Sequence, residues 1–262
     1  LTYPFGIDVS NNQGTISWDG VAQSGVQFAV AKVSEGASFQ DAFFAKNWSE
    51  MARVGLVRGA YHFARPSRNT AATEATYFLQ CLAQGGGLHP GDFVALDLED
   101  DPSATDTTNF AQWAIDWLTF VGSDLGFRPL LYSRTDYLSR HGCLGNATLG
   151  QYGLWLASYG VATVAAPSGW DFWAIWQYND KGSIPGVAGV VDLDAYNGPI
   201  SQLPLYGAHA VWPVPAPPKP TPKTATNDDL EELHRLVDVQ PFDGAAAAAL
   251  IAYAEPFAGA AS

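Results

Sequence analysis

The feature that most constrains this chain is the alternation of strand-like and helix-like segments over its first two hundred residues. Eight segments read as strands: Pro4–Val9, Phe28–Val33, Leu56–Phe63, Phe93–Leu98, Pro129–Ser133, Gly153–Ala157, Phe172–Tyr178 and Val190–Leu193. Between the early ones lie apolar stripes of helical period. Phe44, Trp48, Met51 and Ala52 form one, and Ala75, Phe78, Leu79 and Leu82 a second. The third carries Phe110, Trp113, Ala114, Trp117, Leu118 and Val121, with Asp106 and Thr107 expected to cap its start. Strands that take turns with helices bury both faces and pair in parallel. After Ser133 the helical pattern fades, so the expected fold is an irregular (β/α) barrel whose last third lacks regular helices.

Composition narrows the classes of function. Lys+Arg number 13 against Asp+Glu 26, a net charge of -13, which repels nucleic-acid phosphates and anionic lipid at long range. Neither is expected as a partner. No apolar run approaches the ~18 residues of a membrane span, and no basic-then-apolar leader stands at the start. Nine Trp, eleven Tyr and fourteen Phe supply more flat rings than a core of this size needs, and such faces suit sugar rings. Cys81 and Cys143 fit no zinc spacing; one bridge across a long loop and two buried thiols are level readings.

A proline-rich stretch from Trp212 to Pro222 makes neither helix ladder nor sheet and reads as an extended linker. The expected division is a barrel over residues 1–208, a linker over 209–226 and a short helical tail over 227–262. The tail is too small to fold alone with certainty. It is expected to dock on the barrel, to pair with another copy, to belong to a longer parent chain, or to bind what the barrel acts on.

Chemistry concentrates at strand ends. In Phe93-Val94-Ala95-Leu96-Asp97-Leu98-Glu99 an apolar run ends in two acids, at the end of a barrel strand where active sites sit. Residues i and i+2 of a strand face the same way, so Asp97 and Glu99 share one mouth. Repulsion and partial burial then raise one carboxyl's pKa and leave an acid beside a base, as glycoside cleavage needs. Asp8 ends the first strand and Asp192 the last; first and last strands of a closed barrel are neighbours, so these two acids converge. Further candidates are Lys32 and Glu35 after the second strand and Tyr61 and His62 ending the third. Tyr132 ends the fifth, Trp155 lies in the sixth, and Trp176, Gln177 and Tyr178 end the seventh. The recurrent end-of-strand aromatics read as walls of a sugar cleft. No His-Glu-x-x-His, Cys-x-x-Cys, calcium-loop, nucleophile-elbow or phosphate-loop pattern is present, and neither metal nor cofactor is expected.

Taken in order, Gly6-Ile7-Asp8-Val9-Ser10, Lys32-Val33-Ser34-Glu35-Gly36, Gly59-Ala60-Tyr61-His62-Phe63, Leu96-Asp97-Leu98-Glu99, Leu154-Trp155-Leu156-Ala157, Ile175-Trp176-Gln177-Tyr178 and Val191-Asp192-Leu193-Asp194 resemble glycoside hydrolase family 25, the Chalaropsis-type lysozymes. The resemblance covers residues from about 4 to 198. It implies a flattened barrel of five β/α units and three further strands that cuts the β-1,4 bond from N-acetylmuramic acid to N-acetylglucosamine in bacterial peptidoglycan. It also implies Glu99 as proton donor, with Asp97, Asp8 and Asp192 around it, and retention of configuration through the substrate's own 2-acetamido oxygen. Glu35 and His62 match secondary positions lining the cleft. Ser34 stands where the family more often has Thr, and Asp194 where it more often has Asn; an extra carboxylate there shifts the cluster's pKa values. The expected place of action is the cell wall, for a secreted enzyme or a phage endolysin. Two other readings are weighed: a non-catalytic glycan-binding barrel or phage adhesin, and a chitinase. The chitinase pattern Asp-x-x-Asp-x-Asp-x-Glu is broken at Ala95.

Overall fold

The computed structural model describes residues 3–102 and 107–207. Nine strands form one sheet: β1 (Phe5–Val9), β2 (Phe28–Glu35), β3 (Phe39–Gln40), β4 (Val57–Phe63), β5 (Phe93–Asp97), β6 (Leu130–Arg134), β7 (Leu154–Ala157), β8 (Ile175–Gly182) and β9 (Val191–Tyr196). The order β1-β9-β8-β7-β6-β5-β4-β2 closes through pairing of β1 with β2, which makes an eight-stranded barrel. The two-residue β3 lies outside it as a hairpin on the end of β2.

Seven barrel strands run parallel, as the alternation predicts. The eighth does not: β9 is antiparallel to both β8 and β1. The cause is the connection. Only residues 183–190 join β8 to β9, and a parallel crossover needs a dozen or more. Asp192, expected at a strand's C-terminal end, therefore stands near the N-terminal end of β9. That end comes to the mouth because the strand is reversed.

Five α-helices are present: α1 (Trp18–Gln23), α2 (Phe44–Arg53), α3 (Ala71–Gln84), α4 (Phe110–Leu125) and α5 (Thr135–Arg140). The stripes read from sequence are the faces that α2, α3 and α4 bury; Trp48, Phe78 and Trp117 are all 2% exposed or less. The cap of α4 is Asn109, whose side chain accepts the Gln112 N–H. Thr107 precedes it by two residues, and Asp106 lies outside the described residues. The proline-rich linker and the tail helices also lie outside them.

Strand alternation splits the apolar residues into two cores. One packs between sheet and helices. The other fills the barrel with Phe28, Phe93, Leu130, Ile175 and Tyr196. Inward glycines make room there. A Cβ on Gly6 would fall 2.2 Å from the Phe28 ring, and one on Gly59 2.5 Å from the Phe93 ring. A 3-10 helix over Ile200–Gly207 closes the barrel interior with Leu203 and Tyr206. The sequence reading has no element there. Cys81 and Cys143 are both buried free thiols, and among the described residues no helix is long and apolar enough to cross a membrane.

Candidate active site

With apolar side chains filling the barrel below, the inward positions near the strand ends turn polar. They enclose a cavity of about 230 Å³ lined by Asp8, Lys32, Tyr61, Asp97, Glu99, Tyr132, Trp155, Gln177 and Asp192, with Ser10, Asn12, Gln13, Phe63 and Tyr159 at its margins. Register explains the convergence of the acids. Asp8 of β1 stands directly opposite Asp192 of β9. Phe63 of β4 stands beside Asp97, which stands beside Tyr132 of β6.

A polar chain ties the walls together. The Tyr132 hydroxyl donates to Gln177 Oε1 at 2.9 Å, and Gln177 Nε2 donates to Asp8 Oδ2 at 2.6 Å. Tyr159 also donates to Gln177 Oε1. Trp155 Nε1 donates to Asp194 Oδ1 at 2.8 Å. Among the acids lining the cavity, Asp97 has a buried Oδ1 that meets no donor among the described residues. That oxygen is available to a ligand group.

Electrostatics follow from packing many acids around one hollow. Burial pushes Asp97 well above the usual carboxylate range, and the Glu99 charge adds to it. Burial likewise raises Asp8, with Asp194 and Asp192 as its strongest like-charge neighbours. Asp192 is pushed up to about 6, again by burial first. Glu99 is raised by burial and drawn back by Arg134, whose Nε lies 4.0 Å from Glu99 Oε2. A carboxyl raised by burial beside ionisable neighbours has the chemistry suited to proton transfer.

Not every expected residue reaches the cavity, and strand parity explains three of the exceptions. On β8, Ile175 and Gln177 point inward, so Trp176 and Tyr178 point out. Trp176 donates to the Ser158 carbonyl and packs edge-on against Trp173 and Tyr178. His62, beside inward Tyr61, also faces outward and is fully buried. It sits between Ser34 Oγ and Glu74 Oε2, each at 2.9 Å, and stacks on Trp117. These three residues are not cleft-lining. Asp194 faces inward but one step deeper than Asp192, with no exposed surface. Glu35 stands behind the rim, where it pairs with Lys32 at 2.7 Å and with Arg65 at 2.6 Å.

Residues near the site that the sequence reading does not name are Tyr159 and Arg134, whereas the candidate Lys32 does line the cavity. Lys32 had a signal, since it occupies an inward position of β2; its ammonium lies 4.8 Å from the Phe63 ring centre. Tyr159 follows β7 in an irregular segment where no periodicity marks it.

This geometry agrees with the comparisons to known proteins. Residues 7–187 match the model of glycosyl hydrolases family 25. The chain is 33% identical over 211 residues to Lysozyme M1 of Streptomyces globisporus, covering 76% of this chain and 69% of that protein. It is 31% identical over 218 residues to the N,O-diacetylmuramidase of a Chalaropsis species, covering 76% and 96% of the two chains. Among solved structures, the bacterial lysozyme from Streptomyces coelicolor superposes with a TM-score of 0.72 at 31% identity, over 79% of this chain and 98% of that one. A polar cavity at the barrel mouth, a carboxyl pair at and just past the end of one strand, and these relationships lead to one conclusion: the chain belongs to glycosyl hydrolase family 25 and is a glycoside hydrolase.

Proposed function

We propose that the protein is a peptidoglycan muramidase that cuts the β-1,4 bond between N-acetylmuramic acid and N-acetylglucosamine with retention of configuration. The observation that carries this reading is the pair Asp97 and Glu99, both facing one cavity, one with a buried oxygen that meets no donor among the described residues and the other with its pKa raised by burial. The relatives named lysozyme and muramidase supply the substrate class.

In the first step Glu99 gives its proton to the glycosidic oxygen as the bond from that oxygen to the anomeric carbon breaks. The substrate's acetamido oxygen forms the new bond to that carbon, closing a five-membered ring. Asp97 Oδ1 accepts the acetamido N–H and stabilises the positive charge that develops on the ring. In the second step water adds to the anomeric carbon and gives a proton to the Glu99 carboxylate. The ring opens, and the released sugar keeps its configuration. Asp8 and Asp192, opposite each other across two strands, place negative charge near the oxocarbenium-like transition state. Tyr61, Tyr132 and Trp155 give the sugar its apolar walls, and Gln177 holds the Tyr132 and Tyr159 hydroxyls in place. The site of action is the bacterial wall, reached from outside the cell or during phage release.

The test is to incubate the protein and its Glu99→Gln variant with purified peptidoglycan, reduce the products with borohydride and identify the reduced sugar by mass spectrometry. Reduced muramic acid from the parent and not from the variant is the expected result. Reduced glucosamine moves the scissile bond, and an absence of new reducing ends on several wall types refutes the reading.

A further inference from the structure

Beneath the cavity floor lies a carboxyl that the steps above do not use. Asp194 is completely buried, in β9, while Asp8 of β1 is 6% exposed and lines the cavity above it. Asp194 pairs across the strands with Gly6 and Asp8 with Asp192. The two acids are therefore diagonal neighbours on the inward face, close enough for side chains to meet. Asp194 Oδ1 accepts the Trp155 indole N–H. Its Oδ2 is buried and meets no N–H or hydroxyl donor among the described residues. The register places the Asp8 carboxyl as its diagonal neighbour on the same inward face, near enough for the two carboxyls to influence each other. Two carboxylates have no hydrogen to share, so a bond between them requires a proton on one.

We propose that Asp194 is a positioning residue that carries a proton shared with Asp8, so that the floor of the cleft holds one negative charge where the sequence places two acids. Asp8 is then fixed from two sides, by the Gln177 amide and by the Asp194 acid. The charged surroundings favour this. Asp192 from β9, Asp97 from β5 and the phenol of Tyr61 from β4 face the pair, and all of them are acids; Tyr178 of β8, on the outer face, adds another ionisable acid near Asp194. Lys32, on the same cavity, is held by Glu35. Among the described residues a buried second negative charge has no cation to meet it, and burial accordingly pushes Asp194 up to about 8. Sharing of the proton stands on this geometry alone; its consequence for hydrolysis rests on the muramidase reading above.

The variant Asp194→Asn separates the proton from the shape. Its amide oxygen still accepts the Trp155 N–H and its amide N–H still donates to Asp8, but it does not titrate. Two readouts are expected to move. The contribution of Asp194 to the parent's Tm falls as pH rises from about 4 toward about 8, because the unfolded acid ionises near 3.8 and the buried one does not. In Asp194→Asn the Tm curve lacks that share of one proton. In kcat/KM on soluble glycan fragments, the ratio of Asp194→Asn to parent rises with pH as the parent's shared proton is lost. Asp194→Leu, which anchors nothing, is expected to lose activity at every pH, with rescue by Asn.

Parallel Tm curves for parent and Asp194→Asn overturn the proposal, as does an Asp194→Leu variant as active as Asp194→Asn. If the variants do not fold, infrared spectra of the unmodified protein decide: a carboxylic-acid carbonyl band that persists through pH 7 and fades near 8 supports it, and loss of all such bands by pH 6 overturns it. A shifted proton in a protein that cleaves no wall sinks the muramidase reading alone; unshifted titration in an active muramidase sinks this proposal alone.

Discussion

Arg134 sets how long Glu99 keeps its proton. Its guanidinium is the main group opposing the effect of burial on that carboxyl, at 4.0 Å and with Nε meeting no hydrogen-bond acceptor. Replacing it by Leu removes the opposition. The Glu99 pKa then rises, and the basic limb of the kcat/KM profile moves to higher pH while the acid limb, set by the remaining carboxylates, moves little. A pH–rate series on soluble fragments checks this, and a basic limb that stays in place or moves down contradicts it. At this scale much of the site was legible. Asp8, Asp97 and Asp192 lie at or next to a strand end and Glu99 two residues past one, each beside an apolar run, and all four line the cavity. The errors at His62, Trp176 and Tyr178 share one cause: period-two alternation, applied to Asp97 and Glu99, was not applied to them. Each stands next to an inward residue, Tyr61 or Gln177, and so belongs to the outer face. Tyr159 was out of reach, because an irregular segment carries no period to read.

The same parity makes certain elements sensitive to single changes. On the outer face, the α4 stripe centres on Trp117, which is fully buried against His62 and Phe78. Trp117→Ala leaves a large apolar cavity between α3, α4 and the sheet and is expected to cost about 3–5 kcal/mol, read as a drop in the urea midpoint. Below the melting range hydrolysis should persist, since no cavity-lining side chain is removed. On the inner face, Gly59→Ala thrusts a methyl to 2.5 Å from the Phe93 ring. Overpacking of this kind costs roughly 1–3 kcal/mol, and a Gly59→Ala protein as stable as the parent would mean that the Phe93 layer yields more easily than its packing implies. Helices α2, α3 and α4 were readable because their stripes are long and regular. The reversal of β9 follows from the shortness of residues 183–190, which alternation of strand and helix does not reveal. The 3-10 helix over Ile200–Gly207 was not readable, because eight residues with an internal Pro204 show neither period clearly.

For the whole molecule, that last helix fixes where the barrel can end. Tyr206 is 2% exposed inside the barrel, and Gly207 is so close to the Asp92 carbonyl that a Cβ would fall 1.8 Å from it. A chain ending at Leu205 loses the Tyr206 plug, whereas one ending at Ala208 keeps it. The shorter chain is expected to be less stable by about 3–5 kcal/mol, and equal melting of the two would show that Tyr206 contributes little. The acids of the cleft then govern how this stability varies with pH. Asp8, Asp97 and Glu99 are raised, Asp192 to about 6 and Asp194 to about 8, all with burial as the leading cause. A raised folded-state pKa means that the native state binds protons the unfolded chain has released. Their contribution is therefore complete below about 4 and is lost as pH climbs to about 8. The depressed carboxyls act in the opposite sense, below their ordinary values. Asp19, Glu50, Asp101 and Asp136 are exposed and screened, so their share is small. Buried His62, whose pKa is lowered, also opposes acidification below about 6.5, but it is one proton against several. Self-repulsion of a net charge of -13 adds to the loss at high pH. Tm should accordingly peak on the acid side of neutrality, between about 4.5 and 6, and decline toward pH 8. Scanning calorimetry across that range tests the balance. A Tm that climbs steadily to pH 8 would mean that the cleft acids ionise freely in the folded state, and with that the electrostatic basis for Glu99 as the proton donor would fail.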